Sequence, residues 1–193
     1  MDERGWTLIY LRIIVPPMSI ITGRGDSGET DLLFGKRIAK TSLRIDALGC
    51  VDELSAALGV ARATARQPDW IALIDNLQER LVGLMGVLAT LPEDTARYHE
   101  TKFAVRGDAD LEWVVVEAKR LEARGVRFTG WARAGAEGSQ ARASVDFARA
   151  VARRAERSVL ALHESGEEVP VSVRLFFNRV ADMLWLLARV ECD

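Results

Sequence analysis

Apolar residues recur at helical spacing along most of the chain after residue 41, and this periodicity restricts the fold more than any other feature. Gly, Pro and polar stretches interrupt the pattern, and the segments between them predict five helices. These cover about residues 41–66, 70–89, 110–123, 140–164 and 171–190. Because no strand pattern alternates with them, the sequence predicts an all-α helical bundle of about five helices with an irregular, glycine-rich N-terminal arm.

The length and composition are those of one globular domain without nucleic-acid or membrane partners. The chain has 193 residues, 49% of them apolar and 28% charged, and its formal net charge is −2. A charge so near zero argues against a nucleic-acid binder, and no apolar run is long enough to span a membrane. Cys50 and Cys192 have no partner at metal-binding or redox spacing, so we expect a reducing compartment, the cytoplasm.

Residues 1–17 form a mildly apolar segment that Arg12 interrupts and two prolines close. The segment lacks the charged start, long apolar centre and small-residue cleavage site of a signal peptide. Met18 stands immediately before the organised part of the chain. We therefore interpret residues 1–17 as an N-terminal extension and residues 18–193 as the domain.

The segment Thr22–Asp31 reads TGRGDSGETD and follows an apolar run. Its glycines match the spacing GxGxxG, but a dinucleotide-binding fold needs a helix straight after the glycines and further βαβ units. The residues that follow, ETDLLFGKR, contain Gly35 and indicate a loop. A Walker A loop is also excluded, because no Lys-Ser or Lys-Thr follows the last glycine. Two interpretations stay open, a structural turn and a cradle for an anion.

The predicted helix 140–164 has a polar face, on which Arg149, Arg153 and Glu156 lie opposite the apolar residues at 100° per residue. A charged face opposite an apolar one is usual on a surface helix, so solvated charges are one interpretation. Binding of phosphate or carboxylate is the other, because nearly every basic position is Arg, whose guanidinium presents forked donors. The apolar side comprises Ser144, Phe147, Ala148, Val151, Ala155, Val159 and Leu162.

A second polar line runs along the predicted helix 171–190. A bare solvent-exposed face seldom carries Trp beside Asn, so we expect this line to contact a neighbour or a ligand. In the first helix, Asp52 and Glu53 lie at the edge of the apolar stripe, where they can pair with an Arg of another helix or subunit. The polar line consists of Arg174, Asn178, Asp182, Trp185 and Arg189.

Three sequence blocks between Ile21 and Arg189 resemble the PduO-type ATP:cob(I)alamin adenosyltransferases. The first, TGRGDSGETDLLFGKRIAKTSLRIDALGCVDELSAALG, is similar to the family's T-x-x-G-D-x-G-x-T loop, its basic residues and its G-x-VDEL helix start. The second, ARAVARRAER, and the third, FFNRVADMLWLLAR, are similar to its AR-T-x-x-RRAER and NRLSD-x-x-F/W-x-x-AR helices. Each block alone is weakly specific, whereas three in the family's order at compatible distances are strongly specific.

The resemblance implies a homotrimer of helical bundles with active sites between subunits. Such an enzyme transfers the 5′-deoxyadenosyl group of ATP to the cobalt of cob(I)alamin and releases triphosphate, with Mg²⁺ bound to the nucleotide. Because cobalt(I) is itself the nucleophile, no catalytic Ser, Cys or His is needed, and we expect His99 and His163 to be exposed or structural. The residue spacing predicts no protein metal site. A corrinoid reductase and a cobalamin-dependent enzyme are the expected partners.

The resemblance also assigns roles to residues. Arg153 would bind the phosphates of ATP, and Arg149 would pair with Asp52 across the subunit boundary, with support from Arg154; Arg153, Arg149 and Asp52 are the expected catalytic residues. The expected ATP-binding residues are Thr22, Gly23, Arg24, Gly25, Asp26, Ser27, Gly28, Thr30, Lys40, Arg153, Glu156 and Asn178.

The corrinoid site is the part in which the chain departs from the family pattern. Phe128 is the candidate for the apolar residue that displaces the lower axial ligand of cobalt, with Trp131 beside it. The family usually reads F-x-x-PGG before the fourth helix, whereas this chain reads FTGWARAGAEGSQ, and an alignment without a gap leaves Phe128 several residues upstream. This departure motivates an alternative function, a non-catalytic ATP- or corrinoid-binding protein that senses or carries the cofactor. A purely structural oligomerising bundle is a third possibility, which leaves the glycine segment and the arginines unexplained.

Overall fold

The computed structural model describes residues 21–102, 107–126, 131–135 and 138–190. Within these ranges it contains the five predicted helices, one further short helix and one two-stranded hairpin, so the predicted all-α bundle is confirmed. The helices are α1 (Leu43–Thr64), α2 (Pro68–Leu88), α3 (Thr95–His99), α4 (Asp108–Glu122), α5 (Gln140–Glu164) and α6 (Val171–Leu187). The strands are β1 (Glu29–Asp31) and β2 (Arg37–Ala39).

Local chemistry explains where the main helices begin. The Ser42 hydroxyl accepts a hydrogen bond from the Ile45 N–H at the start of α1, and the Ser139 hydroxyl accepts one from the Arg142 N–H at the start of α5. Each cap satisfies a backbone donor that has no partner within the helix. Pro68 occupies the first turn of α2, where its missing N–H costs nothing.

The core lies between α5 and its neighbours. Asp146 contacts Arg189 and Glu156 contacts Asn178, so α5 and α6 run antiparallel. On its other side α5 packs against α1, while α2 packs against α1 and α4 packs against α6. Each large apolar side chain buried here stabilises the fold by about 1.5 to 3 kcal/mol. Among the largest fully buried side chains are Tyr98, Phe176, Phe177, Leu54, Leu58, Ile74, Leu77, Leu81, Leu84 and Leu162.

The apolar face predicted for α5 is wrong at Phe147, which is 55% exposed. Because α5 packs between α1 and α6, the side of α5 that is buried does not coincide with the predicted apolar stripe. It includes Val145, Ala152 and the charged Asp146. The sequence pattern does not predict Asp146 in the interior.

The segment ETDLLFGKR, predicted as a loop, forms the hairpin instead. Its strands pair antiparallel, with Glu29 opposite Ala39 and Asp31 opposite Arg37. The closed end of the hairpin is fixed to the bundle, because the Leu33 N–H donates to the Ala89 carbonyl at 3.0 Å. In the same region Lys36 forms an ion pair with Glu93 at 3.1 Å, and the guanidinium of Arg97 lies 4.2 Å from the ring centre of Phe34.

Arg44 joins the start of α1 to two other parts of the bundle. Its buried guanidinium donates to the Leu88 carbonyl at 2.7 Å and the Thr90 carbonyl at 3.1 Å, both at the end of α2. It also forms a 2.6 Å ion pair with Glu167, in the connection before α6. These contacts fix the position of α1 just after the hairpin. None of the helices in the described ranges is long and apolar enough to cross a membrane.

Candidate functional site

The glycine turn, residues Thr22–Gly28, leads into β1 at the open end of the hairpin. Two backbone hydrogen bonds fold it, from the Asp26 N–H to the Gly23 carbonyl at 3.1 Å and from the Gly28 N–H to the Gly25 carbonyl at 3.2 Å. Gly23 and Gly28 have φ angles of +68° and +85°, a conformation that glycine adopts without the steric cost of a side chain. The N–H groups of Gly25 and Ser27 donate to no other described residue, which leaves them available to an anion.

Lys40 lies against the glycine turn. Its N–H donates to the Gly28 carbonyl at 2.8 Å. A Cβ built on Gly25 would lie only 2.7 Å from the Lys40 Nζ, so the absence of a side chain on Gly25 makes room for the ammonium group. The structure thus brings together the glycines and the lysine that the sequence placed in one ATP site.

Arg24 of the glycine turn and Arg37 of the hairpin form ion pairs with carboxylates of the hairpin. Arg24 forms an ion pair with Asp31 at 3.3 Å, and its N–H donates to the Thr22 hydroxyl at 3.4 Å. Arg37 pairs with Asp31 at 3.2 Å and with Glu29 at 3.4 Å. The hydrogen bond to Asp31 raises the pKa of Arg37 above its ordinary value. These pairs hold the exposed strands together and keep Arg24 directed at Asp31.

The second group of predicted residues lies on α5 and α6, and we call it the arginine face: Arg149, Arg153, Glu156 and Asn178. The Asn178 amide donates to the Glu156 carboxylate at 2.8 Å, which ties the two helices together. The guanidinium of Arg153 is exposed and has no hydrogen-bond or ion-pair partner within the described ranges. Such a guanidinium is available to an anionic ligand.

Asp52 is exposed on α1 and forms no ion pair with a described residue of the same chain. Its neighbour Glu53 pairs with Arg154 of α5, as expected for an acidic residue at the edge of the apolar stripe. Arg149 contacts Asp146 of its own helix at 3.2 Å. The pair between Arg149 and Asp52 therefore does not form within one chain and stays a prediction about neighbouring subunits.

The glycine turn and the arginine face are not joined within one chain. The turn lies beside the start of α1, whereas Arg149 lies in the first half of α5. No hydrogen bond or ion pair connects the two groups among the residues that the structure describes. A site that uses both needs further contacts, such as those of a neighbouring subunit.

The predicted corrinoid residues are only partly described. Trp131 is 95% exposed, which leaves almost its whole indole surface available. Phe128 lies outside the described residues. Among the described residues there is no group of three or more His, Cys, Asp or Glu side chains that could hold a metal ion.

Sequence reasoning missed one residue of this region, Asp146. It lies three positions before Arg149 on α5, which is a spacing that brings helical side chains together. That spacing is the signal in the sequence, although Asp146 falls near the apolar side of the helix.

A cavity of about 770 Å³ opens at a different place, between the end of α2, α3 and the first residues of α4 and α6. Its walls include Val87, Thr90, Tyr98, Asp108 and Ser172. No predicted site residue lines this cavity, so the candidate site is the pair of exposed groups described above.

A solved structure with this fold is a variant PduO-type ATP:corrinoid adenosyltransferase from Lactobacillus reuteri complexed with cobalamin and ATP. Its chain superposes with a TM-score of 0.76 at 24% identity, covering 88% of the present chain and 91% of its own. This similarity establishes that the two chains share a fold.

Sequence comparison identifies the family. The corrinoid adenosyltransferase PduO of Citrobacter freundii is 33% identical over 177 residues, which are 90% of this chain and 50% of that protein. The present chain therefore spans about half the length of that relative. The corrinoid adenosyltransferase of Bacillus subtilis is 32% identical over 186 residues, or 90% of this chain and 86% of that protein. Since residues 20–191 also match the family model of cobalamin adenosyltransferases, the chain belongs to the cobalamin adenosyltransferase family.

Proposed function

We propose that the protein transfers the 5′-deoxyadenosyl group of ATP to the cobalt of cob(I)alamin, forming adenosylcobalamin and releasing triphosphate. The observation that carries this proposal is the glycine turn, where two backbone N–H groups without a described partner and the Lys40 ammonium lie together in a member of this family. Backbone donors and a positive charge in one turn form a phosphate-binding cradle. The relatives named above are corrinoid adenosyltransferases, which supports a corrinoid as the acceptor of the adenosyl group.

In the proposed reaction the cobalt(I) centre supplies an electron pair to carbon 5′ of ATP. The cobalt–carbon bond forms from that electron pair, the bond between carbon 5′ and its phosphate oxygen breaks, and the triphosphate leaves with the electron pair of the broken bond. The protein positions the two reactants and stabilises the charge that develops on the leaving group. Thr22, Ser27 and Thr30 add hydroxyl donors to the glycine turn, Lys40 and Arg153 add positive charge, and the remaining predicted residues of the turn and arginine face hold the nucleotide.

The Mg²⁺ in this proposal belongs to the nucleotide. Mg²⁺ usually binds phosphate oxygens and water together with few protein ligands, which is compatible with the lack of a metal-binding cluster among the described residues. Asp26, an exposed carboxylate in the glycine turn, is the nearest candidate for a direct or water-mediated ligand.

We also propose that the site lies between subunits of a homotrimer formed by residues 18–193 in the cytoplasm. The lack of a hydrogen bond or ion pair between the glycine turn and the arginine face among the described residues of one chain supports this arrangement, as do the exposed Asp52 and Arg153. Arg149 of one subunit would pair with Asp52 of its neighbour. Phe128 and Trp131 would contact the corrinoid, which a corrinoid reductase supplies in reduced form and a cobalamin-dependent enzyme receives afterwards.

The activity is tested by incubating the full chain with ATP, Mg²⁺ and chemically reduced cobalamin without oxygen. We expect the corrinoid spectrum to change to that of the alkylated form, with one triphosphate released per cobalamin. Retained ATP binding without conversion would favour the alternative, a non-catalytic sensor or carrier, which the altered segment around Trp131 motivates. Absence of binding of both ligands would favour a structural bundle.

The location of the site is tested by mixing two inactive variants, Lys40→Ala in the glycine turn and Arg153→Ala in the arginine face. After subunit exchange, a site between subunits can combine an intact turn with an intact arginine face. Random mixing would make about a quarter of the interfaces intact, so we expect up to about a quarter of the wild-type activity to return. A mixture that stays inactive, although mixed oligomers are detected, would contradict the shared site.

A further inference from the structure

Asp146 is a charged residue in the interior of the bundle. Only 6% of its side-chain surface is exposed, although it lies on α5 just one helical turn before Arg149. Burying a charged carboxylate lowers the stability of the fold unless positively charged groups and hydrogen bonds compensate for the lost hydration. Its surroundings therefore indicate what it does.

Two arginines compensate the Asp146 carboxylate. Arg189, just beyond α6, donates from both terminal nitrogens to Oδ1 at 3.1 and 3.2 Å, and from Nη2 to Oδ2 at 3.2 Å. Arg149 donates from its Nε to Oδ1 at 3.2 Å. One carboxylate thus holds two guanidinium groups that come from different helices.

Arg189 is fixed from its other side as well. It donates to the Trp185 carbonyl at 2.9 Å, and its guanidinium lies 4.5 Å from the centre of the Trp185 ring. Only 12% of the Arg189 side chain is exposed. Arg189 and Trp185 therefore make a rigid support that keeps Asp146 in one orientation.

The contact with Arg149 differs in one respect. Asp146 engages only the Nε of Arg149, and the two terminal nitrogens donate to no other described residue. The Arg149 side chain is partly exposed, so these nitrogens are accessible from outside the bundle. Fixing the inner end of a long side chain reduces the rotamer freedom that it must lose when the outer end binds a partner.

We infer that Asp146 is a positioning residue that holds Arg149 in the conformation used at the active site, with Arg189 and Trp185 as its support. The inference rests on the proposed function and extends it by one residue and one interaction. Asp146 itself touches neither substrate. Because Asp146 acts only through the Nε of Arg149, the effect of replacing Asp146 should disappear in a variant that lacks this nitrogen.

The test is a double-mutant cycle with adenosyl transfer as the readout. Asp146→Asn retains the shape of the side chain but removes its charge, and Arg149→Lys retains the charge of Arg149 but removes the Nε through which Asp146 acts. We expect Asp146→Asn alone to lower kcat about tenfold, and to lower it less than about twofold in the Arg149→Lys background. Asp146→Glu, which restores the carboxylate, should recover part of the loss.

Asp110→Asn is the matched control. Asp110 forms an ion pair with Arg80 at 3.3 Å, and the Arg80 guanidinium lies 3.9 Å from the centre of the Trp113 ring, so the same three residue types join α2 to α4 away from the arginine face. We expect this variant to lower the thermal midpoint by an amount similar to Asp146→Asn and to leave kcat unchanged.

The outcomes are distinct. A wild-type protein without adenosyl transfer overturns the proposed function and this inference with it. An active wild-type protein in which Asp146→Asn has the same effect in both backgrounds overturns the inference alone, since the residue is then merely structural. Should Asp146→Asn fail to fold, the same cycle with Asp146→Glu decides, because the longer side chain keeps the charge but changes its distance from the Arg149 Nε.

Discussion

The Asn178 amide donates a hydrogen bond to the Glu156 carboxylate at 2.8 Å and thereby joins α6 to α5 within the arginine face. We expect Asn178→Asp to place two carboxylates against each other and to lower the free energy of unfolding by about 1 to 3 kcal/mol at neutral pH. Because the repulsion disappears once one of the two carboxyls takes up a proton, the loss relative to wild type should shrink as the pH falls. Urea denaturation of both proteins across this pH range measures the effect.

Asn76→Asp is the control for this prediction. Asn76 is exposed on α2, and its amide donates to the Ala72 carbonyl of the same helix at 2.8 Å, away from any second helix. We expect it to change stability by less than about 0.5 kcal/mol. A penalty for Asn178→Asp that is the same at neutral and acidic pH would show that the two side chains do not face each other in solution.

Arg153→Ala should remove activity without affecting the fold. The side chain is exposed and has no ion-pair partner in the described ranges, so little packing is lost. Loss of a guanidinium that stabilises the leaving triphosphate should lower kcat on the order of 100- to 1,000-fold. Turnover and the thermal midpoint are the two measurements, and Arg120→Ala, at another exposed arginine, on α4, is the control. If Arg153→Ala unfolds the protein, its assignment to the arginine face is wrong.

The helices predicted from the sequence are those long enough for their apolar residues to recur at helical spacing. The short helix α3, Thr95–His99, has too few residues to do so, and β1 and β2 are three-residue strands whose pairing depends on the closed end of the hairpin meeting Ala89. The error at Phe147 has a related cause, since the buried side of α5 depends on where α6 packs. In each case, the deciding contact comes from a distant part of the chain.

The residues of the candidate site could be predicted from the sequence, whereas their contacts with one another could be predicted only in part. The family resemblance placed Lys40 and the glycines, together with Glu156 and Asn178, among the ATP-binding residues, and the structure brings Lys40 to the glycines and Glu156 to Asn178. The sequence could not indicate that Arg24 pairs with Asp31, because this contact exists only once the strands pair. The predicted roles themselves stay predictions until activity is measured.

Gly25→Ala should weaken ATP binding at little cost to stability. A Cβ at this position would lie 2.7 Å from the Lys40 Nζ and 3.2 Å from its Cε, and the flexible end of the lysine can move away. The ammonium group then leaves the glycine turn. We expect the KM for ATP to rise on the order of tenfold, a loss of about 1.4 kcal/mol in binding, while the thermal midpoint stays near that of wild type.

Gly28→Ala provides the contrast. No atom lies within 4 Å of a Cβ built there, but the φ of +85° is unfavourable for a residue with a side chain. The cost should be about 1 to 2 kcal/mol of local strain in the turn. If Gly25→Ala and Gly28→Ala raise the KM for ATP equally, then displacement of Lys40 is not the cause.

Gly86→Ala should destabilise the bundle without involving the candidate site. A Cβ on Gly86 would lie 2.6 Å from the Cε2 and 2.8 Å from the Oη of Tyr98, whose hydroxyl donates to the Gly83 carbonyl at 2.6 Å. Displacing this buried ring should lower the free energy of unfolding by about 1 to 3 kcal/mol. Gly59→Ala is the control, since its Cβ would meet only the Gln78 amide at 3.8 Å, and it should be neutral or stabilise by up to about 1 kcal/mol. Equal effects in urea denaturation would contradict the packing of Tyr98 on Gly86.

The ion pair between Arg62 and Asp75 should make a small, pH-dependent contribution to stability. The hydrogen bond from Arg62 lowers the pKa of Asp75 below its ordinary value, so the contribution is present at neutral pH and is lost as the pH falls through the lowered pKa. Both side chains are more than 40% exposed, which limits the effect of Asp75→Asn to less than about 1 kcal/mol at neutral pH. Urea denaturation should show the two proteins converging in strong acid and in high salt; a difference that grows on acidification would refute this sign.

The closed end of the hairpin contacts the bundle through Leu33 and Ala89 and through Lys36 and Glu93, and the open end carries the glycine turn beside the start of α1. Substitutions in the turn should therefore leave the helical core intact. A substitution that breaks the contacts at the closed end of the hairpin should weaken nucleotide binding, although it lies away from the turn. Substitutions in the turn can therefore change affinity for the nucleotide at little cost to the stability of the bundle, so this part of the site can evolve separately from the core.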